Sequence, residues 1–248
     1  MGRKPKDPKD IFDEFTSDYK EIYGNDLVGI VLYGSGATAE YRPEKSDLNF
    51  MIVLSESGIE ALDKAFSTVR KWRKRGVGVP LFLTEEYVNG SLDVYPIEYL
   101  GVQRRHVVVY GKDLFEHLNF DRECLRLQCE REIKGKLLLL RHAYLESEGR
   151  GNALKDVAIR SIPAFVAIFE GLLHLKRETV PASKREVIRA GCELFGLTPA
   201  AFDTILAIRE REFKAGESVL KDVFKEYLGA VRTLARLVDR MEKEKEGV

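Results

Sequence analysis

Apolar residues recur at helical spacing in the stretch from Asp10 to Gly24, where Ile11, Phe12, Phe15, Tyr19 and Ile22 share one face and Gly24-Asn25 supplies the stop. Three apolar runs rich in β-branched residues follow at 27–33, 48–54 and 77–83, and a helical stretch at 59–74 separates the second from the third. Strands alternating with helices predict an α/β sheet. A fourth strand is read in LDVYPIEYLGV and a last short one in RRHVVVYGKDLF, running into the turn Gly111-Lys112-Asp113. From Asp121 onward the period changes. Apolar positions recur every three to four residues through 125–145, 153–175, 185–195, 200–213 and 219–241, which predicts a bundle of about five helices. Its breaks carry ordinary punctuation: Gly149 to Asn152, Ser183 as an N-cap, Gly196 with Thr198-Pro199, and Gly216. The expected organisation is a flexible tail at 1–8, an α/β domain at 9–118 and a helical domain at 119–248.

Composition narrows the class. Forty Lys and Arg balance 40 Asp and Glu in 248 residues, so the excess positive charge of a nonspecific nucleic-acid binder is missing and nucleic acid is not the expected partner. The basic run Arg70 to Arg75 closes a helix, where positive charge complements the dipole. No apolar run approaches the roughly 20 residues that span a bilayer, and the first ten residues lack a signal-peptide core, which predicts a cytoplasmic protein without a membrane partner. Cys124, Cys129 and Cys192 are odd in number and unpaired in spacing, which argues against disulfides and zinc. His106, His117, His142 and His174 are scattered and receive no role.

The chemistry concentrates in LVGIVLYGSGATAEYRPEKSDLNFMIVL. An apolar strand ends at Gly34-Ser35, and a second opens 12 residues after Ser35 with Asp47-Leu48-Asn49. Glycine at a strand end lets backbone approach a ligand, the N–H groups opening the next turn and the Ser35 hydroxyl suit phosphate oxygens, and Gly36 adds room. Residues two apart on a strand point the same way, so Asp47 and Asn49 share a face and can converge on one ion, while Leu48, Phe50 and Ile52 pack on the other.

In these residues, over roughly 28–111, the chain resembles the DNA polymerase beta-type nucleotidyltransferase superfamily: a Gly-Ser pair, a spacer of this length, and two acidic positions one residue apart. The resemblance implies an α+β domain, a nucleotidyltransferase-type mixed sheet with helices on one face, ahead of an all-α bundle like those of minimal and aminoglycoside nucleotidyltransferases. It also implies Mg²⁺ or Mn²⁺, and a nucleoside triphosphate, ATP among them, held between the two domains. The acceptor would be a hydroxyl on a small molecule or protein. Carried over, Gly34 and Ser35 match the phosphate-binding pair and Asp47 the first aspartate, a metal ligand and catalytic residue. Asn49 stands where the second aspartate is expected. The third carboxylate is expected on the strand LDVYPIEYLGV, with Glu98 preferred and Asp93 the alternative. An amide oxygen carries no formal charge and bridges two ions poorly. Two readings therefore stand: a transferase of reduced activity, and an inactive nucleotide-binding or regulatory module that contacts a partner protein.

Overall fold

The structure is a computed structural model that describes residues 4–44, 46–214 and 216–241. It divides into two compact units. The first comprises the chain up to Asp93 together with Glu98–Phe120; the second comprises Val94–Ile97 and the chain from Asp121.

The first unit is built on a four-stranded mixed sheet of order β3-β2-β1-β4, with β1 Leu27–Tyr33, β2 Asn49–Leu54, β3 Leu81–Thr84 and β4 His106–Gly111. β1 is antiparallel to both β2 and β4, and β2 runs parallel to β3. Helix α1 (Phe12–Tyr23) ends at Gly24, as its sequence pattern predicts, and lays Phe15 and Tyr19 on the sheet. Phe15 stacks on Phe50 with centroids 4.2 Å apart and meets Trp72 edge-on at 5.0 Å. Leu48, Phe50 and Ile52 are buried in that same core, the alternation read from the sequence. The stretch expected to be one helix at 59–74 is three pieces: α2 (Glu56–Ile59), a 3₁₀ turn Leu62–Ala65 and α3 (Phe66–Arg73).

The basic run closing α3 is answered from α1. Lys71 lies 2.7 Å from Asp18 and 3.0 Å from Glu14, and Arg75 lies 2.7 Å from Glu14. The Trp72 indole N–H donates to Asp18 at 2.8 Å while Arg75 covers its ring. These charges tie α3 to α1, which accounts for Lys71 and Arg75 without nucleic acid.

After α4 (Glu85–Gly90) comes the main correction to the strand pattern. LDVYPIEYLGV is a turn followed by helix α5 (Pro96–Arg104), with no strand. Pro96, a residue without an N–H, stands at the first helical position, and Ile97, Tyr99, Leu100 and Val102 are buried. Tyr99 and Val102 join Val31, Met51, Val88 and Phe115 in a second, smaller core on the other face of the sheet.

Residues 4–8 are not a free tail. Pro5 is buried, the Tyr41 hydroxyl donates to its carbonyl at 3.0 Å, and Asp7 caps a 3₁₀ turn, Pro8–Ile11, that delivers Ile11 to the core.

In the second unit the five expected helices are α6 (Arg122–Glu146), α7 (Gly151–Leu175), α8 (Lys184–Leu194), α9 (Ala200–Glu210) and α10 (Glu217–Arg240). Ser183 caps α8 as read from the sequence, whereas α9 starts at Pro199 without a side-chain cap. By length and composition α7 could cross a membrane, contrary to the apolar-run reading. Fourteen of its 25 residues are buried, with Phe165 and Phe169 packed edge-on against Phe202, so its apolarity has an explanation as the centre of the bundle. Arg126, 5% exposed, is held by Glu123 at 2.6 Å and Glu130 at 2.7 Å. Cys129 and Cys192 are buried, and burial pushes the Cys192 thiol up to about 12; Cys124 is only half-buried.

Candidate functional site

Strand β1 delivers the site's first element. Its last residue, Tyr33, is extended, and Gly34 then turns to φ 72°, a left-handed conformation that an L side chain adopts only at a cost of about 1–2 kcal/mol. A β-carbon at Gly34 would come no nearer to anything than 3.8 Å, so backbone conformation, not space, requires glycine there. A single 3₁₀ turn, Gly34–Ala37, follows and is closed by Thr38, whose N–H and hydroxyl both donate to the Ser35 carbonyl at 3.2 Å. The Gly34 N–H donates to Arg105 O at 3.2 Å, which fixes the turn to the chain entering β4. The Ser35 hydroxyl and the N–H groups opening this turn are the phosphate donors the sequence points to.

Gly36 has a different reason for being glycine. It is buried, and a β-carbon there would lie 2.9 Å from Leu48 Cδ2 and 3.1 Å from Leu32 Cδ1. Gly36 makes room for core packing beneath the turn, where the sequence suggested room for a ligand.

Across the sheet, in register beside the turn, stand Asn49, Tyr33 and His106 on three adjacent strands. The segment leading into β3 contributes Gly78: its N–H donates to Leu48 O at 2.9 Å, and its missing β-carbon would lie 3.1 Å from Asn49 Oδ1. The Asn49 amide therefore spans from Gly78, on its Oδ1 side, toward Gly34, on its Nδ2 side. Burial pushes the Tyr33 phenol up. His106 turns Nδ1 to Val102 O at 2.9 Å and Nε2 to Asp113 at 3.0 Å. Burial raises the Asp113 pKa, but the bonds from His106 and from the Phe115 and Glu116 N–H groups outweigh it and hold the carboxyl below its ordinary value. No role for His106 is legible in the sequence, because a His and an Asp seven apart across a turn carry no recognisable motif.

Asp47 precedes the fully buried Leu48, so alternation directs it with Asn49 away from the α1 core. Its side chain is 62% exposed and forms an ion pair with Lys4 at 2.8 Å. Glu98 and Asp93 do not stand on a strand beside it. Glu98 is on an exposed face of α5 and Asp93 lies in the turn before it, so neither stands on the strand expected to carry the third carboxylate. Beside β2 lie Gly78, in the segment before β3, next to Asn49, and Leu81, the first residue of β3, next to Met51, and neither is a carboxylate. Among the described residues no three His, Cys, Asp or Glu side chains come together as a metal-binding group. One exposed, already paired carboxylate and one neutral amide do not fit a site for two divalent ions.

The chain shares its fold with spectinomycin adenyltransferase AAD(9) from Enterococcus faecialis, a crystal structure containing ATP and spectinomycin, at a TM-score of 0.52 and 17% identity. The likeness covers 92% of this chain and 99% of that one, so it extends through the helical part as well as the sheet. The fold is that of a nucleotidyltransferase, with its mixed sheet and following helical region. No protein-family model and no curated protein sequence matches the chain.

Proposed function

We propose that this protein binds the phosphates of a nucleoside triphosphate at the Gly34-Ser35 turn and transfers the nucleotidyl group slowly or not at all. The observation that carries the binding half is the turn itself: a left-handed glycine at the end of β1, anchored to Arg105 O, opening into a turn that carries the Ser35 hydroxyl. The fold neighbour was crystallised with ATP and spectinomycin, which supports a nucleotide as the ligand here and a small molecule as the class of any acceptor. The silent half follows from charge. In a two-ion mechanism the ions lower the acceptor's pKa and neutralise the leaving group, and both tasks need carboxylates that hold the ions close. Here Asn49 is neutral, the chain beside β2 offers Gly78 and then Leu81, and Asp47 already has a cation.

The test is calorimetry of the full chain with each of the four nucleoside triphosphates, with Mg²⁺ and with a chelator, beside a pyrophosphate-release assay. Saturable binding lost in Gly34→Ala, with no pyrophosphate above background, is the expected result. Absence of binding to all four removes the nucleotide reading. Turnover at ordinary transferase rates, of order 1 per second or faster, removes the silent half.

A further inference from the structure

Asp47 has a cation built from its own chain. Lys4 Nζ lies 2.8 Å from Asp47 Oδ1 and 3.4 Å from the Ser46 carbonyl. Its stem has a prepared bed. A β-carbon at Gly76 would come within 2.5 Å of Lys4 Cγ, 2.9 Å of Cδ and 3.1 Å of Cε, so the methylenes run directly over that glycine. Gly76 has φ 84°, and its carbonyl accepts the N–H of Leu48, the residue after Asp47, at 3.0 Å. The bed and the carboxylate therefore belong to one backbone ladder. On the other side of Lys4, buried Pro5, the Tyr41 hydroxyl bond and the Asp7 cap fix the chain. An exposed ion pair ordinarily loses most of its value to the entropy of holding two free side chains. This one has a short partner at the head of a strand and a long partner whose stem is already packed.

We propose that Lys4 is a component of the site, a tethered ammonium that holds the cation position of Asp47, so that a divalent metal binds there only by displacing it. Tyr41 registers the same arrangement: burial pushes its phenol up, Lys4 opposes that, and Asp47 and Glu44 add to it. The lysine supplies one fixed positive charge where a divalent ion would bring two, which suits neutralising a bound anion and does not suit activating a hydroxyl.

The inference concerns the site described above, but its test needs no nucleotide. Mn²⁺ is titrated into the full chain, and line broadening of the Ser46 to Asn49 amides and the Asn49 side-chain NH₂ is followed by NMR in wild type, Lys4→Gln, Lys4→Arg, Asp47→Asn and the Lys4→Gln/Asp47→Asn double variant. An ion pair of this exposure shifts a competing equilibrium modestly, so Lys4→Gln is expected to bind Mn²⁺ about threefold or more tightly. Lys4→Arg keeps the wild-type affinity, and the gain vanishes when Asp47 is also replaced. Unfolding midpoints report that all variants are folded. Equal Mn²⁺ affinity in wild type and Lys4→Gln overturns the proposal, as does a gain that survives Asp47→Asn or the absence of local Mn²⁺ binding in every variant. Failure to bind any nucleotide would instead count against the proposed function and leave these outcomes unaffected.

Discussion

Asn49→Asp is the substitution that separates metal binding from catalysis in this site. Amide and carboxylate are nearly isosteric, and the Asn49 side chain has Gly78 on one side and Gly34 on the other, so the fold has room for the change. Two residues along a strand span about 6.6 Å, and at that separation a new charge repels Asp47 by only about 0.6 kcal/mol in water, with Lys4 partly offsetting it. Attraction for a divalent ion is larger. Two unit charges 4 Å apart gain about 1 kcal/mol in bulk water, a divalent ion about twice that, so Mg²⁺ or Mn²⁺ affinity should rise about thirtyfold. Turnover should not follow, because the chain flanking β2 still offers Gly78 and Leu81, and neither is a carboxylate. Wild type and variant are compared by Mn²⁺ titration and by pyrophosphate release from each nucleoside triphosphate. Tighter metal with pyrophosphate release still at background is the expected pair of results. A variant that turns over tenfold faster than wild type would refute the reasoning, because one carboxylate would then complete the site. A wild type faster than the variant would refute it differently, by giving the amide a positive catalytic role.

Four further substitutions have defined outcomes. Gly34→Ala should lower stability by about 1–2 kcal/mol through its left-handed backbone and abolish phosphate binding, whereas Gly36→Ala should cost about 1–3 kcal/mol through its clash with Leu48 and Leu32, both read by urea unfolding and calorimetry. The Asp113 carboxyl is held below its ordinary value, so it adds stability that is present above about pH 4 and lost as pH falls through the lower folded-state pKa; the unfolding midpoint of Asp113→Asn should therefore fall less steeply with acid than that of wild type. Arg126→Ala removes the buried guanidinium, but Glu123 is half exposed and Glu130 keeps Lys134, so the expected cost is about 1.5–3 kcal/mol in chemical denaturation.

How much of this was readable from the chain depends on the separation of the parts. β1, β2 and β4 announced themselves because β-branched runs such as IVLY, MIVL and HVVVY have little other use. The run at 77–83 was read as one strand, yet regular pairing begins only at Leu81: Val77 bridges Leu48 alone, and Pro80 lacks the N–H a continuous ladder would need. LDVYPIEYLGV misled for a related reason. Its buried residues Ile97, Leu100 and Val102 satisfy a helix as well as a strand in so short a segment, and the deciding signal was Pro96 at a helix start.

The site divides along the same line. The Gly34 turn, its serine and the Asp47-Leu48-Asn49 alternation lie within one hairpin, so local rules carried them. Lys4 and Asp47 are 43 residues apart, and a lysine in GRKPKDPKD looks like any other charge in a tail until Gly76 and Tyr41 are seen to hold it. Asn49 depends on neighbours in the same way. From sequence the amide is defined by what it is not, an aspartate. Placed between Gly34 and Gly78 it is a donor and an acceptor beside the Gly34 turn, a chemistry that suits the anion proposed there and needs no metal. In the proposed reading the neutral amide and the tethered lysine act together: both disfavour a divalent cation at Asp47, and both suit holding an anion directly.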